Sequence, residues 1–187
     1  METRMLNSAT KFQTRNDNGE RYIEGYFAVF GDVYKLWDDI TESVGRNAFD
    51  DTMDEDIRAL VNHNTALVLG RNKAGTAEFR VDDHGLWGSV RINPNDTDAV
   101  NCWERVNRGD VSQASFGFEI LAETRTNEGG KIHYTLDKVR LHEVSVCTFP
   151  AYNSTSLTAR GADEEHIKKR RFELWKEQQE ERMNKWH

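Results

Sequence analysis

Residues 111–121 read Val-Ser-Gln-Ala-Ser-Phe-Gly-Phe-Glu-Ile-Leu, a stretch in which apolar side chains alternate with small or polar ones. Alternation with a period of two is typical of a β-strand, because successive side chains point to opposite faces of a sheet. The two Phe and the Ile then share one face, while Ser115 and Gly117 share the other. The stretch therefore predicts a strand with one aromatic face and a serine on the opposite face.

Other parts of the chain carry the same kind of short, strand-like run. Each run is rich in β-branched or aromatic residues and ends at turn-forming residues. Turn-forming residues at 83–85 and 127–130 predict that the strands on either side of them form antiparallel hairpins. The chain is therefore predicted to be β-rich, with strands at residues 22–29, 57–61, 66–69, 76–81, 86–92, 111–121, 132–136 and 139–149.

Two segments predict helices among these strands. Asp96 can cap a helix in which apolar residues recur at helical spacing, and Gly109 can end that helix. A second, shorter helix is predicted near residues 47–53. Strands with a few helices packed against them define a β-rich fold of the α+β class.

The composition of the chain changes after Pro150. Residues 163–187 form a highly charged run in which four large apolar residues fall roughly on one helical stripe. This pattern predicts a charged, amphipathic C-terminal helix. The chain is accordingly divided into an N-terminal segment at 1–20, a domain at 21–157 and a tail at 158–187.

Composition argues against several classes of function. The 187 residues are 37% hydrophobic, which is enough for a packed core without metal or disulfide bonds. The formal net charge of −7 disfavours direct binding to nucleic acid. Cys102 and Cys147 form no Cys-x-x-Cys pair and are predicted to be small buried residues in a reducing compartment. No apolar stretch is long enough to span a bilayer, so we expect neither a membrane protein nor a secreted one.

Three polar residues stand where catalysis could use them. Ser115 has small neighbours on its own strand face, so that a peptide backbone could approach its hydroxyl. His63 follows an apolar strand and lies between two asparagines, a position suited to a general base. Glu143 interrupts an apolar strand and could orient that imidazole, and His142, on the opposite face, is the alternative.

Each of these residues also has a purely structural explanation. Ser115 could be an ordinary strand serine, His63 could order a loop, and Glu143 could form an ion pair with Arg140. The histidines show no metal-ligand spacing, and no glycine-rich phosphate-binding loop occurs. No metal or cofactor is therefore predicted.

From about residue 21 to residue 157 the sequence resembles the caudovirus prohead protease family, serine peptidases distantly related to the herpesvirus assemblins. The resemblance rests on several ordered blocks at compatible spacing, a pattern far more specific than one short motif. The blocks are IEGYFA at 23–28, IRALVNHN at 57–64, VLGR at 68–71, AGT at 74–76, RGDVS at 108–112, SFGF at 115–118, LHEVSV at 141–146 and TFPAY at 148–152. One departure is Asn64, because the residue after this histidine is often Asp in the family.

The resemblance implies an assemblin-like fold, a mostly antiparallel β-barrel surrounded by a few helices. It also implies that Ser115 is the nucleophile of a serine peptidase, that His63 is its base and that Glu143 is the third member of the triad. The assemblins use a second histidine in that third place.

The implied function is endopeptidase processing during maturation of the phage prohead. The substrate would be scaffold or the scaffolding segment of the capsid protein, followed by the protease itself, and the reaction would take place inside the immature capsid in the host cytoplasm. Self-association is a further expected interaction. The alternatives are a protease-like assembly protein that binds capsid subunits without cleaving them, and an esterase-like hydrolase acting on small esters.

Overall fold

The computed structural model describes residues 4–8, 12–36, 39–148, 172, 173 and 176. Up to residue 148 they form two β-sheets, a single α-helix, α1 (Thr97–Arg108), and a 3₁₀ turn at Asn72–Ala74. The strands are β1 (Arg4–Ser8), β2 (Gln13–Asp17), β3 (Glu20–Val29), β4 (Tyr34–Lys35), β5 (Ile40–Val44), β6 (Arg58–Val61), β7 (Asn64–Arg71), β8 (Ala77–Val81), β9 (Gly85–Arg91), β10 (Gln113–Glu128) and β11 (Lys131–Cys147).

The antiparallel hairpin of β10 and β11 forms the centre of the larger sheet. β1 pairs with the other edge of β10. The free edge of β11 carries two parallel partners end to end, because residues 132–136 pair with β5 and residues 143–146 pair with β6. β4 and β7 extend this sheet outward from β5 and β6. The strands predicted at 132–136 and 139–149 are thus one continuous strand that ends at Cys147.

The smaller sheet is antiparallel throughout, with strand order β2-β3-β9-β8. Helix α1 contacts β2, β3 and β7. The helix is capped as predicted: the Asp96 carboxylate accepts from the N–H groups of Asp98 and Ala99 at 3.0 and 3.2 Å, and Gly109 adopts φ 84° at its end. The predicted strand positions from residue 22 to residue 121 are also confirmed.

The aromatic face predicted for β10 lies in the core. Phe116 and Phe118 are fully buried, stack on each other with ring centroids 4.9 Å apart, and meet Phe49 through an edge contact at 5.5 Å between Phe49 and Phe116. Burial of each ring contributes roughly 1.5–3 kcal/mol to folding. The packing of these rings fixes which way β10 faces and therefore turns Ser115 to the opposite side of the sheet.

The expectation of a closed barrel is wrong for the described residues, which form two open sheets instead. At about 3.3 Å per residue, the 17 residues of β11 extend roughly 55 Å, far longer than β5 or β6. Two short strands therefore share one edge of β11, and the sheet branches there rather than closing on itself. The mostly antiparallel pairing is confirmed, but β11 adds two parallel ladders.

The short helix expected at 47–53 is also not formed. The segment consists of successive turns closed by bonds between residues three apart, such as Ala48 N–H to Gly45 O at 3.1 Å. Its groups bond to β11 instead: Val139 N–H donates to Ala48 O at 2.9 Å, and Leu141 N–H donates to the Thr52 hydroxyl at 2.8 Å. Docking on β11 therefore replaces helical hydrogen bonds.

The C-terminal helix predicted for the tail falls on residues outside the described part, apart from residues 172, 173 and 176. Within the described ranges, no helix is long and apolar enough to cross a membrane.

Candidate active site

His63 lies in a tight turn between β6 and β7. Asn62 and His63 have φ of 50° and 57°, in the left-handed region that costs a non-glycine residue roughly 1–2 kcal/mol. Hydrogen bonds to β11 and the residue after it hold the turn. Asn62 N–H donates to Val146 O at 3.0 Å, and the Asn62 side-chain oxygen accepts from Thr148 N–H at 2.9 Å. The turn folds the imidazole of His63 back over β11.

The imidazole of His63 contacts the carboxylate of Glu143, a residue 80 positions away in the sequence. His63 Nδ1 and Glu143 Oε1 are 2.7 Å apart, and each side chain is only 12% exposed. A carboxylate oxygen accepts hydrogen bonds, so in the neutral imidazole this contact places the proton on Nδ1 and leaves the lone pair on Nε2. This is the tautomer that a general base needs.

A second hydrogen bond fixes the Glu143 carboxylate in the position where it contacts His63, and Arg140 does not pair with it. Its second oxygen, Oε2, accepts from the Ser145 hydroxyl at 2.6 Å. Arg140 instead pairs with Glu119 at 2.8 Å and with Glu55 at 3.9 Å. The ion pair that the sequence left open for Glu143 is therefore not formed.

His142 has no partner in β10, because the register shifts between Gly117, which pairs with Glu143, and Phe118, which pairs with Leu141. Its Nε2 is buried and finds no hydrogen-bond partner within the described chain. Of the two candidates, Glu143 therefore contacts His63, whereas Nε2 of His142 bonds to none of the described residues.

Gly117 lies directly opposite Glu143 in the β10–β11 ladder. A Cβ atom at this position would overlap Glu143 Oε1 and lie 3.1 Å from its Cδ. The sequence suggested that this glycine opens space for a substrate backbone. The structure corrects this view, because the Glu143 carboxylate fills that space.

Ser115 is flanked in the sheet by Asn7 of β1 and Ser145 of β11. Directly opposite residues share a face, so Ser115 is on the same face as Ser145 and Glu143. Ser115 is fully buried, and its hydroxyl has no hydrogen-bond partner among the described residues. The structure thus joins His63 to Glu143 and leaves Ser115 on the neighbouring strand without a direct bond to either.

Cys147 completes this face of β11 and was not identified from the sequence as part of the site. Its Sγ lies 3.7 Å from Nε2 of His63. Burial, together with the nearby Glu143 carboxylate, raises the pKa of the Cys147 thiol from 9.0 to about 12. The thiol is therefore protonated and donates to Nε2. Strand alternation places Glu143, Ser145 and Cys147 on one face, which is the signal that could have revealed this residue.

A second serine–histidine pair occurs between β5 and β11. The Ser43 hydroxyl lies 2.8 Å from Nε2 of His133, and the Thr41 hydroxyl lies 2.8 Å from Nδ1 of the same ring. A hydroxyl, not a carboxylate, contacts each nitrogen of that imidazole, so these two contacts supply no negative charge to stabilise the imidazolium that a base must become. His63 is thus the better placed base of the two.

A sizeable cleft of the described structure lies away from these residues. It measures about 850 Å³, lies beside β7 and the start of α1, and is lined in part by Arg71, Arg91 and Asp96. None of His63, Ser115 and Glu143 lines it. Nor does the part of the chain with described side chains contain a group of three histidine, cysteine or acidic residues able to hold a metal ion.

The two thiols are expected to resist alkylation in the folded protein near pH 8, because the thiolate is the reactive form. Burial raises the pKa of Cys102 to about 11 and that of Cys147 to about 12. Intact-mass spectrometry after iodoacetamide treatment should show unmodified protein, while protein unfolded in urea should be modified at both cysteines. An adduct at Cys147 in the folded protein would contradict the raised pKa of this thiol.

Comparison with known proteins places the chain in a family. Residues 8–170 match the family described as caudovirus prohead serine protease. The prohead protease of Enterobacteria phage HK97 is 27% identical over 152 residues, which cover 80% of this chain and 64% of that relative. The chain thus spans just under two thirds of the length of that relative.

A solved structure shares the fold. The capsid assembly protease of bacteriophage T4 is similar with a TM-score of 0.53 at 8% sequence identity, over 80% of this chain and 98% of that one. At this identity the likeness concerns the fold alone. The family match extends over most of the chain, including His63, Ser115 and Glu143. The chain therefore belongs to the caudovirus prohead serine protease family.

Proposed function

We propose that this protein is a serine endopeptidase in which Ser115 is the nucleophile, His63 the general base and Glu143 the acid that orients the base. The observation that carries the proposal is the 2.7 Å contact between His63 Nδ1 and Glu143 Oε1 in a nearly buried setting. This contact leaves the lone pair on Nε2, on a sheet face that also carries Ser115. Family membership supports the same reaction class.

The reaction begins when Nε2 of His63 takes the proton of the Ser115 hydroxyl as Oγ attacks the carbonyl carbon of the scissile peptide bond. Glu143 stabilises the imidazolium that results. His63 then passes the proton from Nε2 to the departing amine, and an acyl-serine remains. Water, deprotonated by Nε2, attacks this ester, and the proton returns to Ser115 as the acid product leaves.

In this proposal, the arrangement seen in the structure is the resting state of the site. Nε2 of His63 faces the Cys147 thiol at 3.7 Å, and the Ser115 hydroxyl is buried without a partner. Substrate binding has to uncover Ser115 and bring its hydroxyl to Nε2 in place of the thiol. Catalytic hydrogen bonds that tighten only in the substrate complex are common among enzymes.

The substrate we propose is a protein of the assembling capsid, either scaffold or the scaffolding segment of the capsid protein, with the protease itself as a later substrate. The relatives named above are a prohead protease and a capsid assembly protease, which supports this choice. The proposed place of action is the interior of the immature capsid in the host cytoplasm. The tail at 158–187 is then a candidate for self-cleavage or for docking to scaffold, and self-association remains part of the proposal.

We expect fragments of the cognate capsid or scaffold protein when it is incubated with wild-type protein, and none with the Ser115→Ala variant. Mass spectrometry of the two mixtures identifies the cleaved bonds. Identical fragments in both mixtures would trace the cleavage to another source. Binding without fragments under conditions that permit assembly would favour a non-catalytic assembly protein, and turnover of small esters alone would favour an esterase.

A further inference from the structure

A third polar residue of β11, Ser145, bonds to both His63 and Glu143. The backbone N–H of His63 donates to the Ser145 hydroxyl oxygen at 3.1 Å, and that hydroxyl donates to Glu143 Oε2 at 2.6 Å. Together with the 2.7 Å contact from His63 Nδ1 to Glu143 Oε1, these bonds form a closed ring. The ring fixes the imidazole from two sides, through its own nitrogen and through the backbone that carries it.

Ser145 is fully buried, and its hydroxyl both accepts and donates within the ring. It lies directly opposite Ser115 in the β10–β11 ladder and therefore between the proposed nucleophile and the acid–base pair. A buried carboxylate whose second oxygen lacked this donor would lose both a strong hydrogen bond and a defined rotation about its terminal bond.

The backbone of His63 has an unfavourable conformation and needs a hydrogen bond that holds it in place. Both residues of the turn are in the left-handed region, and the bonds made by Asn62 fix only the first of them. The bond from His63 N–H to Ser145 acts on the second residue, whose side chain is the base. The Ser145 hydroxyl therefore restrains the backbone of the residue that carries the imidazole.

We propose that Ser145 is a positioning residue of the peptidase, which aligns the Glu143 carboxylate with Nδ1 of His63 and anchors the His63 backbone. This inference rests on the proposed function for its effect on turnover. Its effect on the imidazole exists without substrate and can be measured separately.

The test compares Ser145→Ala with Ser145→Thr, which keeps the hydroxyl, and with Ser145→Cys, which nearly keeps the size but weakens the donor. Ser89→Ala is the matched control, because Ser89 is also buried and donates to a carboxylate, that of Glu24, at 2.8 Å in the other sheet. We expect Ser145→Ala and Ser145→Cys to lower kcat for a peptide substrate by roughly 10- to 100-fold with little change in KM. Ser145→Thr should recover most of the activity, and Ser89→Ala should retain it.

The second readout is the downfield proton resonance of the His63 Nδ1–H group in the free protein, assigned by its loss in His63→Gln. It should shift upfield or broaden in Ser145→Ala and Ser145→Cys, and stay in place in Ser145→Thr and Ser89→Ala. An unchanged resonance in Ser145→Cys, or a shifted one with unchanged kcat, would overturn the inference. If wild-type protein cleaves no substrate, the proposed function fails, while the resonance still decides whether Ser145 positions the imidazole.

Discussion

Ser115→Ala is expected to lower kcat/KM for peptide cleavage by about 10⁴- to 10⁶-fold, the loss found when a serine peptidase is deprived of its nucleophile. Fold stability should be unchanged or slightly higher. The Ser115 hydroxyl is buried and has no hydrogen-bond partner in the described structure, so the alanine removes a desolvated polar group and leaves no other group unpaired. Initial rates with a peptide spanning the cleaved bond, together with thermal unfolding, measure both effects.

Two other serines provide the controls for this substitution. Ser43→Ala removes a serine that lies 2.8 Å from Nε2 of His133, and Ser112→Ala removes an exposed serine three positions before Ser115. Both variants should cleave at the wild-type rate within about threefold, because Ser43 pairs with Thr135, far along β11 from Glu143, and Ser112 is exposed and lies outside β10. Loss of activity in Ser43→Ala with activity kept in Ser115→Ala would move the site to the Ser43–His133 pair.

Glu143→Gln is expected to lower kcat by about 10³- to 10⁴-fold, although its shape is almost unchanged. The glutamine amide can present its N–H group to Nδ1 of His63, which then loses its proton to the other ring nitrogen. The proton on Nε2 blocks that atom from accepting the proton of Ser115. Steady-state rates and the His63 Nδ1–H resonance, which should disappear or move, measure the effect.

His142→Ala is the neighbouring control for Glu143→Gln. The buried Nε2 of His142 makes no hydrogen bond to the described residues, and Glu143 instead contacts His63, so loss of His142 should leave kcat within about threefold of the wild-type value. Activity that tolerates Glu143→Gln and is lost in His142→Ala would show that the third member of the triad is the histidine.

Local sequence rules predicted much of the scaffold. The period of two in residues 113–120 placed Phe116 and Phe118 in the core, and the Asp96 and Gly109 caps set the bounds of α1. The strands β4 and β5 escaped prediction, because β4 is very short and the alternation in β5 is hidden by Glu42 and Ser43, which are both buried. The position of β5 depends on its parallel pairing with β11, at long sequence separation, and β4 then pairs with β5. Neither position follows from the pattern of the strand itself.

For the candidate residues, too, some features were predictable from the sequence and others depended on long-range pairing. Alternation predicted that Glu143 and His142 point to opposite faces, but the β10–β11 register shifts at His142, so the choice of Glu143 rests on its observed contact with His63. The sequence could not show that Arg140 pairs with Glu119 or that Cys147 faces His63, because those contacts depend on the register between β10, β11 and the turn after β6.

The sequence by itself determined the strand faces, the helix caps and, through ordered blocks, the family resemblance and its candidate residues. Only the tertiary structure decided that His63 and Glu143 meet at 2.7 Å, that Gly117 is needed beside the Glu143 carboxylate and that Ser115 is buried with an unbonded hydroxyl. The physical reason is that alternation and capping act between neighbours in the chain. The site, in contrast, is built by the parallel pairing of β6 with β11 and the antiparallel pairing of β10 with β11, which fix side chains from distant segments on one face.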